Sequence, residues 1–281
     1  MLELSAPIYA TALSEQRSIQ FADGSTVELN SRSKIRVKYS KQERDVELLE
    51  GQALFHVAHD VSRPFIVAVG ATRVRAVGTQ FDVYKKSNGT VVTVVEGRVA
   101  VYSAPTSGEA PMLPLPAQAL PQSPGAIASR LSPSPTSRAR NTSPPSASGS
   151  ALPPEREAAL QHPLSRTSSF LVSAGEQLTV TPEAAQKSTN PNIASATAWR
   201  EREIVFESAT LTDVAEEFNR YNQRQLIIED STLYGFHVSG VFSSTDPDSL
   251  IKFLQQRPGV KVTETNGEIR VERASLVMPN S

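Results

Sequence analysis

Gly78-Thr79 sets a glycine before a hydroxyl, the pairing from which phosphate-binding loops are built. Such a loop needs several glycines feeding a helix amino terminus, so that backbone N–H groups converge on the anion. Here one glycine lies between two alternating runs, Val74 and Ala76 before it and Phe81 and Val83 after it. That spacing predicts a corner between strands and no anion site. His56 and His59 come next, since imidazoles bind metals and move protons. Three positions apart on a strand, they point to opposite faces, so a shared ion is not expected. His162 falls in a proline-rich stretch and His237 opens a strand. Asp60, Asp82 and Glu96 are acidic, yet none has a second carboxylate at a spacing that defines an acid–base pair. The sequence holds no Gly-x-Ser-x-Gly elbow, no His-Glu-x-x-His helix and no glycine-rich phosphate loop. No catalytic, metal-binding or cofactor-binding residue is assigned, no cofactor is expected, and the chain is not read as an enzyme.

One run suits recognition of another polypeptide instead. Asn219-Arg220-Tyr221-Asn222 closes a segment in which Leu211, Val214, Ala215 and Phe218 recur at helical spacing. These four residues have two readings. They end the helix, with Asn suited to a left-handed cap and Arg to the dipole, or they touch a partner directly. The surrounding elements follow from caps and periodicity. Ile204 and Phe206 mark a strand, and Thr210 with Asp213 caps the helix. "QLIIE" and "FHVSGVF" are further strands. Asp246-Pro247 opens a second helix bearing Leu250, Phe253 and Leu254, which Pro258-Gly259 stops. "VKVTETNGEIRVER" is a closing hairpin turned at Asn266-Gly267. Residues 199–273 thus read as β-α-β followed by β-α-β-β, a small sheet covered by two helices.

The first hundred residues have period two instead. Val27 and Leu29, Ile35 and Val37, Val46 and Leu48, Phe65 through Val69, and Val99 and Val101 each alternate with polar neighbours. Asp23-Gly24 and Asn88-Gly89 are hairpin dipeptides, and Glu96-Gly97 is a third turn. About ten short strands predict a mostly β domain, a β-sandwich or short β-roll. Of the chain's 20 prolines, 13 fall between Pro105 and Pro163, so residues 104–167 read as a disordered insert rich in proline and serine. "FLVSAGEQLTV" alternates again, returning the chain to the first domain. The expected organisation is a β domain at 9–103 and 168–182, a linker at 183–198, the α+β module at 199–273 and a tail at 274–281. A formal charge of −1 advertises no nucleic-acid surface, and the absence of cysteine excludes disulfides and thiolate metal sites. No apolar run reaches the roughly 20 residues of a membrane span, and no signal peptide is evident.

"YATALSEQRSIQFADGSTVELN" resembles the FecR-type periplasmic regulator domain, in Tyr9-x-Thr11, Glu15-x-Arg17 and Asp23-Gly24-Ser25-x-Val27-x-Leu29-Asn30. Glu50-Gly51, Arg63-Pro64-Phe65, Ala76-Val77-Gly78-Thr79-x-Phe81 and Glu96-Gly97-x-Val99 continue it. Residues 199–273 are similar to the short amino-terminal module of secretins and TonB-dependent receptors, with Trp199, Asn219–Asn222 and Val238-x-Gly240-x-Phe242 at its positions. The resemblance implies a periplasmic relay that binds the signalling module of a TonB-dependent outer-membrane receptor. It would control a sigma factor, anti-sigma fashion, for iron or another nutrient. The family's cytoplasmic segment and membrane span precede the domain, whereas here the resemblance starts within ten residues of Met1. Sigma-factor contact is therefore expected only indirectly or through a missing N-terminal segment. A structural role in a cell-envelope assembly and a carbohydrate-binding β-domain stand as alternatives.

Overall fold

A computed structural model describes residues 6–103, 161–163, 169–265 and 267–274. The insert, most of residues 104–167, lies outside them. Ten strands fill the first hundred residues: β1 (Ile8–Ala10), β2 (Arg17–Gln20), β3 (Thr26–Leu29), β4 (Lys34–Tyr39), β5 (Arg44–His56), β6 (Phe65–Val69), β7 (Thr72–Ala76), β8 (Gln80–Lys86), β9 (Gly89–Glu96) and β10 (Arg98–Ser103). Then come β11 (Gln161–Pro163), β12 (Ser169–Ser173), β13 (Gln177–Val180) and β14 (Ala184–Ser188). All fourteen belong to one curled sheet.

The curl is made by β5, whose 13 residues serve two halves of the sheet. Its first part pairs with β4 and β6, and its second part with β3 and β8. The break falls at Gly51, with φ +81°. A Cβ there would sit 2.5 Å from the Arg32 carbonyl oxygen and 2.7 Å from the Ser33 Cα, so only glycine fits. The inward faces of the two halves enclose a core of Val27, Leu29, Ile35, Leu48, Phe55, Phe65, Phe81 and their neighbours. Phe55 stacks on Phe81 with centroids 5.3 Å apart and meets Phe65 edge-on at 5.9 Å, joining the halves. Pairing is antiparallel throughout except β5 with β6, which run parallel.

Strands β12 and β13 add to this sheet beside β10 and β9, with Tyr102 opposite Ser169. Residues 183–198, read from sequence as a linker, carry structure of their own. Strand β14 pairs with β13, and a short helix α1 (Ile193–Thr197) leads into a 3-10 turn, Ala198–Glu201. The β8–β9 hairpin turns at Ser87-Asn88, one residue earlier than expected. Gly89 instead starts β9, packed so closely on the Val180 carbonyl that a side chain has no room. Glu96-Gly97 is no hairpin: β9 and β10 pair with different neighbours, and the chain crosses there from one half of the sheet to the other.

The remaining elements are β15 (Glu203–Thr210), α2 (Leu211–Tyr221), β16 (Gln225–Ile228), β17 (His237–Ser243), α3 (Pro247–Gln255), β18 (Val260–Thr265) and β19 (Glu268–Arg273). Thr210 caps α2 by accepting from the Asp213 N–H, and Asp246 caps α3, with Pro247 in its first turn. The strands do not make the single sheet expected from their order. β15 and β17 form an antiparallel pair, while β16, β19 and β18 form a second sheet in which β16 and β19 run parallel. Leu211, Val214, Phe218, Leu250 and Leu254 pack with residues of both sheets into a second core. Burying Phe218 contributes about 1.5–3 kcal/mol. Leu54 of β5 belongs to this second core, because that strand is covered on both faces. Gly267, in the turn before β19, has φ +97°, and Asn266 lies outside the described residues.

Candidate functional site

Strand alternation places Gln52, Leu54, Asp82 and Thr93 on the face of the sheet opposite Phe55, Phe81 and Val92. A lone sheet would expose that face to solvent. Here the helix α2 and the Ala198–Glu201 turn lie across it, and all four residues are buried.

The four residues assigned to partner binding sit at this junction, and the structure engages their side chains within the chain. Arg220 is 7% exposed and Tyr221 4%. The Arg220 guanidinium donates to the Ser31 carbonyl at 3.1 Å, to Gln52 Oε1 at 3.0 Å and to Ser33 Oγ at 3.1 Å. It lies 4.6 Å from the centre of the Tyr84 ring. In return, Ser31 Oγ donates to the Arg220 carbonyl and Ser14 Oγ to that of Tyr221. The Tyr221 hydroxyl accepts from Asn30 Nδ2 at 2.7 Å. Asn219 exchanges two bonds with the Leu226 backbone, tying α2 to β16, and Asn222 donates to the Phe218 carbonyl. Asn222 is the C-cap in an extended conformation, φ −116°, and not the left-handed cap expected from sequence; Asn219, inside the helix, ties it to β16, and Arg220 and Tyr221 join it to the β domain.

Electrostatics at the junction follow from burial. Asp82, 2% exposed, accepts from Gln52 Nε2 at 2.9 Å and from the Trp199 indole N–H at 3.4 Å. Burial pushes its carboxyl up to about 7, and those two donors only partly oppose the rise. The phenol of Tyr84 is raised by burial and by Glu217, to whose Oε2 it donates at 2.6 Å. Burial works against the Arg220 charge, but Glu217 and the two tyrosines outweigh it and hold the guanidinium above its ordinary value. At the rim, Glu28 accepts from Arg200 Nε at 2.8 Å and lies 2.8 Å from His56 Nε2. A cleft of about 530 Å³ opens beside the junction, bordered by Asp82, Gln177, Trp199, Glu207 and Glu217.

The other residues weighed from sequence have local roles. Gly78-Thr79 is the corner between β7 and β8; a Cβ on Gly78 would strike His59 Nδ1 at 2.5 Å, so the loop bearing His59 closes over it. Asp60 accepts from Ser62 and Arg63, and these bonds, the Ser62 hydroxyl foremost, lower its carboxyl to about 2. Glu96 and His237 are exposed, and the His162 side chain is outside the described residues. Among the described residues no three His, Asp or Glu side chains approach closely enough to hold a metal ion. No described helix is long and apolar enough to cross a membrane.

Gln52 and Tyr84 escaped the sequence reading, and Asp82 and Asn30 stood in it without this role. The signal is hydrogen-bonding residues inside otherwise apolar strands, as in "GQALF" and "QFDVY".

No curated protein matched the chain. Two crystal structures match it in fold, each of a candidate anti-sigma factor from Parabacteroides distasonis ATCC 8503, at 2.50 Å and 1.65 Å resolution. Both have a TM-score of 0.67 at 18% identity and cover 96% of this chain and 99% and 100% of their own. The FecR protein family profile matches residues 8–100, the stretch that contains the bent strand β5 and the Gly78-Thr79 corner. The similarity to the FecR family is carried by the β domain, residues 8–100.

Proposed function

We propose that this chain is the receptor-side element of a sigma-factor regulatory pathway, an anti-sigma-type relay working in the periplasm. The observation that carries the reading is the FecR domain at residues 8–100, and the fold likeness to candidate anti-sigma factors agrees with it. The mechanism rests on surfaces, with no bond made or broken. The FecR domain offers a rigid sheet, and the module from Glu203 to Arg273, which resembles the short amino-terminal module of secretins and TonB-dependent receptors, is fastened to it by Arg220 and Tyr221. Its partner is the signalling module of a TonB-dependent receptor for iron or another nutrient, joined by strand addition. The two-stranded β15–β17 sheet supports this, since among the described residues each strand keeps one edge without a strand partner and Val241 on β17 is 60% exposed. Direct contact through Arg220 and Tyr221 would require them to leave the β domain, so their role in the relay is to hold the module.

Calorimetric titration of the whole chain with the purified receptor module tests this. Micromolar binding, weakened at least tenfold by Val241→Asp, is expected. Absence of heat at high micromolar concentration overturns the receptor assignment.

A further inference from the structure

Between the sheet and α2 lies a carboxyl group that the proposed relay does not use. Asp82 projects from the middle of β8 into the junction, and its two oxygens are shared between the domains: Gln52 of the β domain holds Oδ1 and Trp199 of the turn before β15 holds Oδ2. Gln52 is also the acceptor for Arg220 and for Asn30, and its amide lies 3.3 Å from the Ala196 carbonyl. One carboxyl group and one amide thus sit where β5, β8, α1, the 3-10 turn and α2 meet.

We propose that Asp82 makes this junction a proton-responsive clasp: the module is held firmly to the FecR domain while the carboxyl is neutral, and loosened once it ionises.

Burial is what favours the neutral form of Asp82. Of the charges that face it, Arg220, whose guanidinium is 3.9 Å from Glu217 Oε1, lowers the carboxyl more than Glu217 of α2 raises it; Glu203 and Glu207 of β15, Asp213 of α2 and Lys86 at the end of β8 line the same cleft. Tyr84 and Tyr221, the other titratable neighbours, are held in the protonated form by burial. Ionised Asp82 is then a desolvated anion with two donors and no cation bonded to it, an arrangement that costs free energy unless the cover lifts and water enters. The sign follows. Its carboxyl titrates near 7 when covered and near the ordinary 3.8 when free, so protons bind the closed form more tightly. Closure is strongest below about 4, weakens as pH rises toward 7 and changes no further above it.

Trp199 is the chain's single tryptophan and donates to this carboxylate, so its fluorescence reads the clasp directly. Titrated from pH 5 to 8.5, the whole chain is expected to show one transition centred near 7. Asp82→Asn should abolish it, whereas His56→Gln, which removes the imidazole at the rim, should leave it in place. A flat titration, or a transition that survives Asp82→Asn, overturns the proposal. If Asp82→Asn does not fold, hydrogen exchange of the unaltered chain decides. Protection of the last turn of α2, corrected for intrinsic rates, should fall roughly tenfold between pH 6 and 8 while that of β6 and β7 holds. Equal protection at both pH values overturns it.

Discussion

Two arginines are buried among the described residues, and they do different work. Arg44, 0% exposed, lies inside the β domain, where its Nη1 meets Asp23 Oδ2 at 2.8 Å and the Ala58 carbonyl at 3.0 Å, and its Nε donates to the Arg63 carbonyl. It fastens the β2–β3 turn and the loop after β5 to the edge of the core, with a carboxylate to balance its charge. Arg220 joins two domains, and its bonded partners are neutral: a carbonyl, an amide and a hydroxyl. An ion pair sealed within a sheet is a fixed staple. A cation among neutral acceptors, with its nearest carboxylate oxygen at 3.9 Å, is held by geometry that a domain movement can undo.

The largest effect separating the two is expected from Arg44→Met. It leaves Asp23 buried without a cation and should cost about 3–5 kcal/mol in denaturant unfolding of the whole chain. The pair also has an acid limb. Burial raises the Asp23 carboxyl, but Arg44 and Ser25 outweigh that and bring it below 3.8, so its stabilisation is present above about pH 4 and is lost below, opposite in sign to Asp82. An acid melt of the Arg44→Met variant should lack that limb.

Arg220→Ala comes next. It strips donors from Ser31 and Gln52 and should weaken the junction by roughly 1–3 kcal/mol. Hydrogen exchange should quicken in α2 while β6 and β7 keep their protection. Equal loss in both would mean that the domains form one cooperative block and that the contrast with Arg44 is only one of degree. The smallest effect belongs to the rim. Arg200→Gln removes a 39%-exposed pair with Glu28 and should cost about 0.2–1 kcal/mol, vanishing in high salt, by thermal melts at two ionic strengths.

Much of this architecture could be read from spacing alone. Alternation marked Val27 and Leu29 as inward, and the caps Thr210 and Asp246 fixed where both helices of the module begin. The corner at Gly78-Thr79 followed from apolar strands on either side. The junction was hidden for a physical reason: period two separates one face of a strand from the other but does not say what covers the second face. Asp82 and Gln52 occupy positions that a solvated sheet would fill with the same residue types, and only the arrival of α2 buries them. In the Asn-Arg-Tyr-Asn run, Asn222 is the C-cap and Asn219 ties the helix to β16, while Arg220 and Tyr221 bond to the β domain of this same polypeptide. Two sheets in place of one could not be foreseen, because element order leaves strand partners open.

Strands β10 and β12 face each other as the two arms of a hairpin, Tyr102 opposite Ser169, although 66 positions separate those residues in sequence. Among the described residues between them, β11 pairs with β14. Closing a connection costs about 0.6 kcal/mol more for each doubling of its length. A tag or reporter sequence added between the two strands, with Gln161–Pro163 left in place, should therefore be borne lightly and leave both registers unchanged.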